Sequence, residues 1–302
     1  MSPERAWLAW PVEMGESSGM AMGESSGMAV GLLHPGEMGA AIGAVLRARG
    51  EVVMWASAGR SSASVERAER AVLEDVGDIE ALRDRCEVLI SVCPPHAAVE
   101  VARAAVGFSG IYLDANAVSP ATARTVAGLQ ERFVDGGIVG PPPRQAGTTR
   151  LYLSGAEAEQ IAALFAGTKL DARVVSDAPG AASAVKMAYG GWTKGSAAVL
   201  LVARALARAE GVEGVLLQEW RISQPELDAR SIAAASSALE KGWRWVGEMN
   251  EIADSMVEAG LPDGFHRAAA EVYRRASGGS EARNDPSQQV FAALLAGTGK
   301  KS

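Results

Sequence analysis

From Ala29 onward, short apolar and β-branched runs alternate with stretches of helical period, the pattern of a parallel sheet covered by helices. The runs "AVGLL" (29–33), "EVVMW" (51–55), "LEDV" (73–76), "EVLISV" (87–92) and "IYLD" (111–114) read as strands. Helices fill the gaps. The first opens at the turn "HPGEMG" and reaches about Arg49, where Gly50 ends it. Others start near Ser64, Pro95 and Pro120, where proline or a serine cap suits a first turn. Two further strands, "RLYLSG" and "ARVV", flank a helix at 156–167 and extend the same sheet.

Asp177 as N-cap and Pro179 in the first turn then open a run that stays helical to about Glu210. Roughly 30 residues make a helix on the order of 45 Å long, so it has to be shared between domains or between subunits. The remainder, to about residue 297, reads as helix after helix, with breaks at "GVEG", "SQPE", "GLPDG" and "SGGSEARNDPS". Trp192, Trp220, Trp243 and Trp245 lie in this half, where large aromatics are expected in a core or a dimer contact. Trp243 and Trp245, two apart on a helix, point to different faces.

Composition narrows the classes. A chain of 302 residues, 48% of them hydrophobic, is long enough for two domains. Its net charge of −7 comes from interspersed acids and bases, with no basic stripe for nucleic acid. Cys86 and Cys93 have no histidine cluster beside them, which argues against a metal site and for reduced thiols of a cytoplasmic protein. "MGESSGMA" occurs at 14–21 and again at 22–29, and residues 1–28 are expected to form a disordered extension, with Met22 or Met28 as a possible start of translation. The apolar "AWLAWPV" before the repeat is too short for a signal peptide or a membrane span.

The chemistry begins at "GLLHPGEMG" (31–39), directly after a buried strand and opening a helix. That context turns a weak glycine pattern into a dinucleotide-binding loop. Free N–H groups at the helix start face a pyrophosphate; Gly36 lets the backbone approach it and Gly39 lets helix and strand pack closely. His34 stands where the first glycine of the pattern would be, and Pro35 holds it extended; it counts among the cofactor-binding residues, its side chain either near the cofactor or, the first expectation, packed against the sheet. The second strand ends in "MWASAGRSS", which contains no acid for a ribose hydroxyl and offers Ser57, Arg60 and Ser61, favouring NADP over NAD.

With "SVCPPHAAVEV", "DANAVSP", "DGGIVGPPP" and "GAASAVKMAYGG", the chain over roughly 29–210 resembles the β-hydroxyacid dehydrogenase superfamily, which includes 6-phosphogluconate and 3-hydroxyisobutyrate dehydrogenases and, more distantly, imine reductases. The resemblance implies an NADP-binding Rossmann domain (29–177), then an all-helical domain (178–298) joined through the long helix, in a homodimer paired along that helix. It adds Glu37, Met38, Val92, Cys93 and Pro94 to the cofactor-binding residues. By the same resemblance Lys186 is general acid and base and Asn116 holds the substrate, a small hydroxy or oxo acid acted on at CH–OH. The chemistry suits a lysine, because oxidising an alcohol needs a group that takes its proton as hydride leaves.

The chain departs from the family at Gly190, where an asparagine four residues after the lysine is usual; Tyr189 is the hydroxyl nearest to replace it. Two rival readings follow, an imine reductase on the same scaffold and an NADPH-binding sensor or scaffold without turnover. Residues from about 192 to 265 resemble a helical domain of unassigned function fused to such Rossmann domains; Glu248 there and His266 just after are polar groups within reach of a pocket, each read first as a satisfied or exposed helix residue.

Overall fold

The computed structural model describes residues 27–277 and 286–296. The extension expected over 1–28 lies, up to residue 26, outside the described residues, as does most of the break at "SGGSEARNDPS". The first half runs β1 (Ala29–Leu32), α1 (Glu37–Arg49), β2 (Val52–Trp55), α2 (Ser62–Arg70), β3 (Glu74–Asp75), α3 (Ile79–Arg85), β4 (Val88–Ser91), α4 (Ala98–Ala104), β5 (Ile111–Asp114) and α5 (Pro120–Ala127). Then come β6 (Phe133–Val139), β7 (Thr149–Ser154), α6 (Ala158–Leu164) and β8 (Leu170–Ser176). The helical half comprises α7 (Ala181–Ala209), α8 (Glu213–Ser223), α9 (Leu227–Glu258), α10 (Gly264–Ser277) and α11 (Pro286–Ala296).

All eight strands form one sheet in the order β3-β2-β1-β4-β5-β6-β7-β8, parallel except for the β6–β7 pair. The order reverses between β1 and β4, which opens a crevice at the carboxyl ends of those strands. On one face Val30, Leu32, Val53, Trp55, Val88 and Ile90 pack against α1 and α6; on the other Leu89, Tyr112 and Phe133 pack against α3, α4 and α5. A second core, containing Met187, Leu201, Ile252, Tyr273 and Phe291, joins α7, α9, α10 and α11. The chain is thus an α/β domain followed by an all-α domain, as expected.

Several boundaries differ from the sequence reading, each for a physical reason. The segment "FVDGGIVG" supplies β6, a buried seven-residue strand. The helix expected at Pro95 begins as a single 3₁₀ turn, Pro95–Ala97, before α4. The long helix does not start at Asp177 with Pro179 in its first turn: its cap is Gly180, at φ 96°, and Ala181 is the first helical residue. A side chain at 180 would be strained by that left-handed backbone and would sit 3.1 Å from the Pro120 carbonyl oxygen.

The true anchor of α7 comes from β6. Asp135, buried in the sheet face, accepts hydrogen bonds from the Gly180 N–H (3.0 Å), the Ser183 N–H (2.9 Å), the Ser183 hydroxyl (2.6 Å) and the Ser154 hydroxyl (3.1 Å). Ser154, its cross-strand partner, in turn accepts the Ala182 N–H at 3.0 Å. The orphan donors of the helix start are satisfied by a carboxylate at the positive end of the helix dipole. Asp135→Ala is expected to cost at least about 3 kcal/mol, since it strands these donors in a buried site; a chemical denaturation midpoint like that of the unaltered protein would contradict this.

Candidate active site

Two residues beyond Asp135 along β6, Gly137 meets α7. A Cβ there would lie 2.6 Å from the Ala182 carbonyl oxygen and 3.0 Å from Cβ of Lys186. The glycine therefore lets α7 press onto the sheet where Lys186 stands, near the strand ends. From above, α9 crosses the crevice. Its Arg244 pairs with Glu37 at the start of α1 (3.6 Å), a Cβ on Gly247 would lie 4.0 Å from Pro95 after β4, and Glu251 accepts from the Ser119 N–H after β5 (2.7 Å). Arg124 on α5 reaches Glu258 at the far end of α9 (3.5 Å).

Under this helix, Lys186 Nζ lies 3.3 Å from Oε1 of Glu248, and Lys194 Nζ lies 2.7 Å from the same oxygen. Glu248 is 7% exposed. Burial alone would raise its pKa; the Lys186 and Lys194 charges outweigh that and hold the carboxyl below its ordinary value. Gly190 leaves room for this arrangement: a Cβ there would lie 3.2 Å from Glu248 Oε1, a tight contact. The Glu248 carboxylate, from α9, thus lies directly against α7 at Gly190. Tyr189 is 49% exposed, and no hydrogen bond joins its hydroxyl to this cluster among the described residues.

Asn116 is buried between β4 and β5. Its amide oxygen accepts from the Cys93 N–H and its amide nitrogen donates to the Ser91 hydroxyl at 3.0 Å. One N–H of that amide is left for a ligand. The Asn116 backbone N–H donates to Asp114 Oδ1 at 2.9 Å, while Oδ2 of the same carboxyl is buried with no partner. Burial pushes the Asp114 carboxyl up to about 7. Cys86 and Cys93 are both free thiols, and burial raises each to about 12.

At the other side of the crevice, the β1–α1 turn brings His34, Gly36, Glu37, Met38 and Gly39 together. A Cβ on Gly36 would meet nothing within 4 Å, so the helix start is open, whereas one on Gly39 would collide with the His34 carbonyl oxygen. A Cβ on Gly39 would also lie 3.9 Å from Cβ of Val92, and Cys93 and Pro94 follow Val92 in the loop after β4. Arg60 donates to the Leu33 carbonyl (3.0 Å) and, with His34, Ala56, Ile79 and Val101, lines a cavity of about 210 Å³. His34 Nδ1 and Arg60 Nε are buried there without partners, and burial together with the Arg60 charge holds the imidazole down at about 4, so it is neutral near pH 7.

Ser57 and Ser61 are not gathered into that cavity's lining. Ser61 caps α2, its hydroxyl facing that of Ser64 at 3.2 Å. The Ser57 N–H is held by Asp75 Oδ1 (3.2 Å), which also takes the Gly77 N–H (2.9 Å). Asp75 thus brings an acid to the end of β2 from the neighbouring strand, where the β2 segment itself has none. The only available signal was the short run "LEDV", whose pairing partner is fixed by the sheet.

Trp220 is buried in the helical half, whereas Trp192 (72%) and Trp243 (61%) are exposed. Trp245 lies edge-on to Tyr273 at 4.9 Å, with Lys194 Nζ 5.8 Å from its ring centre. His266 packs onto α7, its Nε2 3.4 Å from the Gly191 carbonyl oxygen. Among the described residues no helix is long and apolar enough to cross a membrane.

Comparison with known proteins agrees with this architecture. A family described as a domain of unknown function, DUF1932, matches residues 207–276. An uncharacterized 28.5 kDa protein of Methanothermus fervidus, from a 7S RNA 5′ region, is 30% identical over 164 residues; the match covers 53% of this chain and 63% of that relative's length. The conserved protein MTH1747, of unknown function and structurally similar to 3-hydroxyacid dehydrogenases, superposes with a TM-score of 0.64 at 29% identity over 83% of this chain and 99% of that one. A 3-hydroxyisobutyrate dehydrogenase of Mycobacterium tuberculosis, solved with L-serine, gives 0.66 at 17% identity over 88% and 99%. A reductive aminase of Aspergillus terreus, solved with an NADPH cofactor, cyclohexanone and allyl amine, gives 0.53 at 18% over the same shares.

The raised Asp114 carboxyl has a consequence for stability. Between the ordinary value of 3.8 and about 7 the folded chain holds a proton that the unfolded chain has lost, so stability falls as pH rises through that window, by up to about 1.4 kcal/mol per pH unit, and levels off above it. The unfolding free energy of the unaltered protein minus that of Asp114→Asn should trace this slope; a difference independent of pH between 4 and 7 would show that Asp114 is ionised throughout.

Proposed function

We propose that this chain, which has the 3-hydroxyacid dehydrogenase-like fold, is an NADP-dependent oxidoreductase that transfers hydride between NADP(H) and a small hydroxy or oxo acid. The observation that carries the reading is the placement of Lys186. Asp135 and Gly137 fix α7 against β6, and α9 closes over the lysine at the strand ends, where open α/β sheets take their ligands. Its ammonium lies in a protected cleft, with a side chain only 15% exposed.

The residues present fit a dinucleotide. The start of α1 offers N–H groups and an open approach at Gly36, and His34 and Arg60 line a cavity of about 210 Å³ beside it. Glu37, Met38 and Gly39 complete the turn, with Val92, Cys93 and Pro94 opposite. Arg60 supports the choice of NADP, as a cation for a 2′-phosphate; NAD would call on Asp75. When bound, the nicotinamide supplies or accepts the hydride. Lys186 takes the hydroxyl proton in oxidation and returns it in reduction. Asn116 holds the Cys93 loop through its amide oxygen and offers the substrate its remaining N–H. Tyr189 would contribute only from the solvent side of α7.

Gly190 and the neighbouring Tyr189 keep a second reading open, an imine reductase on the same scaffold, against which stands the net positive charge of Lys186 and Lys194 around the single Glu248 carboxylate. A panel of hydroxy acids with NADP and of oxo acids and cyclic imines with NADPH separates the two. Lys186→Ala is expected to lower the active rate at least about 100-fold, and Gly36→Val to abolish NADPH binding measured by fluorescence titration. If NADPH binds but no member of the panel turns over, the chain is a cofactor-binding sensor or scaffold; if a measurable rate is unchanged in Lys186→Ala, the assignment of Lys186 fails.

We also propose that two copies pair along α7. Val199, Val202 and Leu206 are exposed at helical spacing and, with Phe265 of α10, form an apolar surface around a groove of about 600 Å³. Light scattering should give twice the 31.3 kDa chain mass, and a Leu206→Lys variant should give the single mass; a monomer in both cases would refute the pairing.

A further inference from the structure

Two lysines eight residues apart on α7 converge on one carboxylate oxygen. Lys186 and Lys194 lie 3.3 and 2.7 Å from Oε1 of Glu248, and their side chains are 15% and 19% exposed. Lys194 is fixed independently of the pair: its carbonyl accepts the Tyr273 hydroxyl at 2.6 Å, and its ammonium faces the Trp245 ring. Three glycines let the other helices approach. Gly190 admits Glu248 from α9, while Cβ atoms at Gly191 and Gly195 would lie 3.1 and 3.3 Å from Nε2 of His266 on α10.

We propose that Glu248 and Lys194 are positioning residues for Lys186, forming a Lys–Glu–Lys unit in which Lys186 can lose and regain its proton without leaving Glu248 as an unpaired buried charge. The inference rests on the reading of Lys186 as proton carrier. With Lys186 as its sole partner, Glu248 would oppose deprotonation, because an isolated buried carboxylate is costly. A second ammonium on the same oxygen removes that obstacle. When Lys186 is neutral, the Lys194–Glu248 pair remains balanced.

The charged and titratable groups around the unit are few. Lys186 and Lys194 come from α7, Glu248 from α9, and His266 and Tyr273 from α10; β6 presents Gly137. Burial pulls the Lys194 ammonium below its ordinary value; Glu248 opposes this and the Lys186 charge adds to it. The two lysines are therefore coupled through the shared oxygen as well as by direct repulsion.

The test needs neither substrate nor cofactor. Trace labelling with acetic anhydride across pH 6–11, read by peptide mass spectrometry, gives the pH of half-labelling for Lys186 and Lys194 separately. Lys194→Met should move the Lys186 midpoint up by about one pH unit, as its neighbouring positive charge is lost. Glu248→Gln should move both midpoints down by a similar amount, and Lys194→Arg, which keeps the charge, should restore the unaltered Lys186 profile. Should Glu248→Gln fail to fold, the Lys194 pair of variants decides alone. An unmoved Lys186 midpoint in Lys194→Met overturns the proposal. Failure of the catalytic reading looks different: the midpoints shift as expected, but Lys186→Ala leaves turnover unchanged.

Discussion

The molecule is organised around a carboxylate buried inside a sheet. Asp135 takes the first N–H groups of α7 and two hydroxyls, and in doing so fixes the origin and direction of a 29-residue helix that belongs to both domains. Burial pushes this carboxyl upward, against hydrogen bonds that favour its ionised form. Asp114, on the neighbouring strand, carries its own proton near neutrality, so the two acids need not both be charged. A helix fixed at its first turn by so many bonds has little freedom there, and Lys186, one turn on, inherits that precision.

The crossing of α9 is held unequally along its length. Near the start of α1 the Arg244–Glu37 pair is half exposed on both sides, a contact that contributes at most about 1 kcal/mol. In the middle, Glu248 is buried between two lysines, and Glu251 receives both the Ser119 N–H and the Thr122 hydroxyl. The helix is thus tightly fastened over the proposed proton carrier and weakly over the proposed pyrophosphate position. A dinucleotide entering between α1 and α9 would disturb the weak end and leave the lysine in place.

Local signals in the sequence were read best where they had a local cause. The helix of Glu37–Arg49 ends at Gly50 because its φ of 106° suits glycine, and "IYLD" is a strand over the expected four residues. Strand β6 was passed over because two glycines and an aspartate depress strand propensity; those residues are there to admit α7 and to cap it, which only the assembled sheet reveals. The same applies to the start of α7, where Asp177 and Pro179 carry the usual signs of a helix start but the cap is supplied from β6. Asp75 reaches the end of β2 through strand pairing, which no property of its own segment announces. Lys194 and Glu248 meet across 54 residues, beyond any periodicity.

Gly190, Gly191 and Gly195 each weaken a helix by about 1 kcal/mol relative to alanine. In space they are the places where α9 and α10 lay Glu248 and His266 against α7. Side chains missing from the long helix are replaced by others from the helical domain, and both come from the segment, 207–276, that matches a domain of unknown function. If Lys186 is the proton carrier proposed above, the side chains nearest it come from α9 and α10 as well as from α7, so substrate preference would depend on the faces those two helices lay against α7.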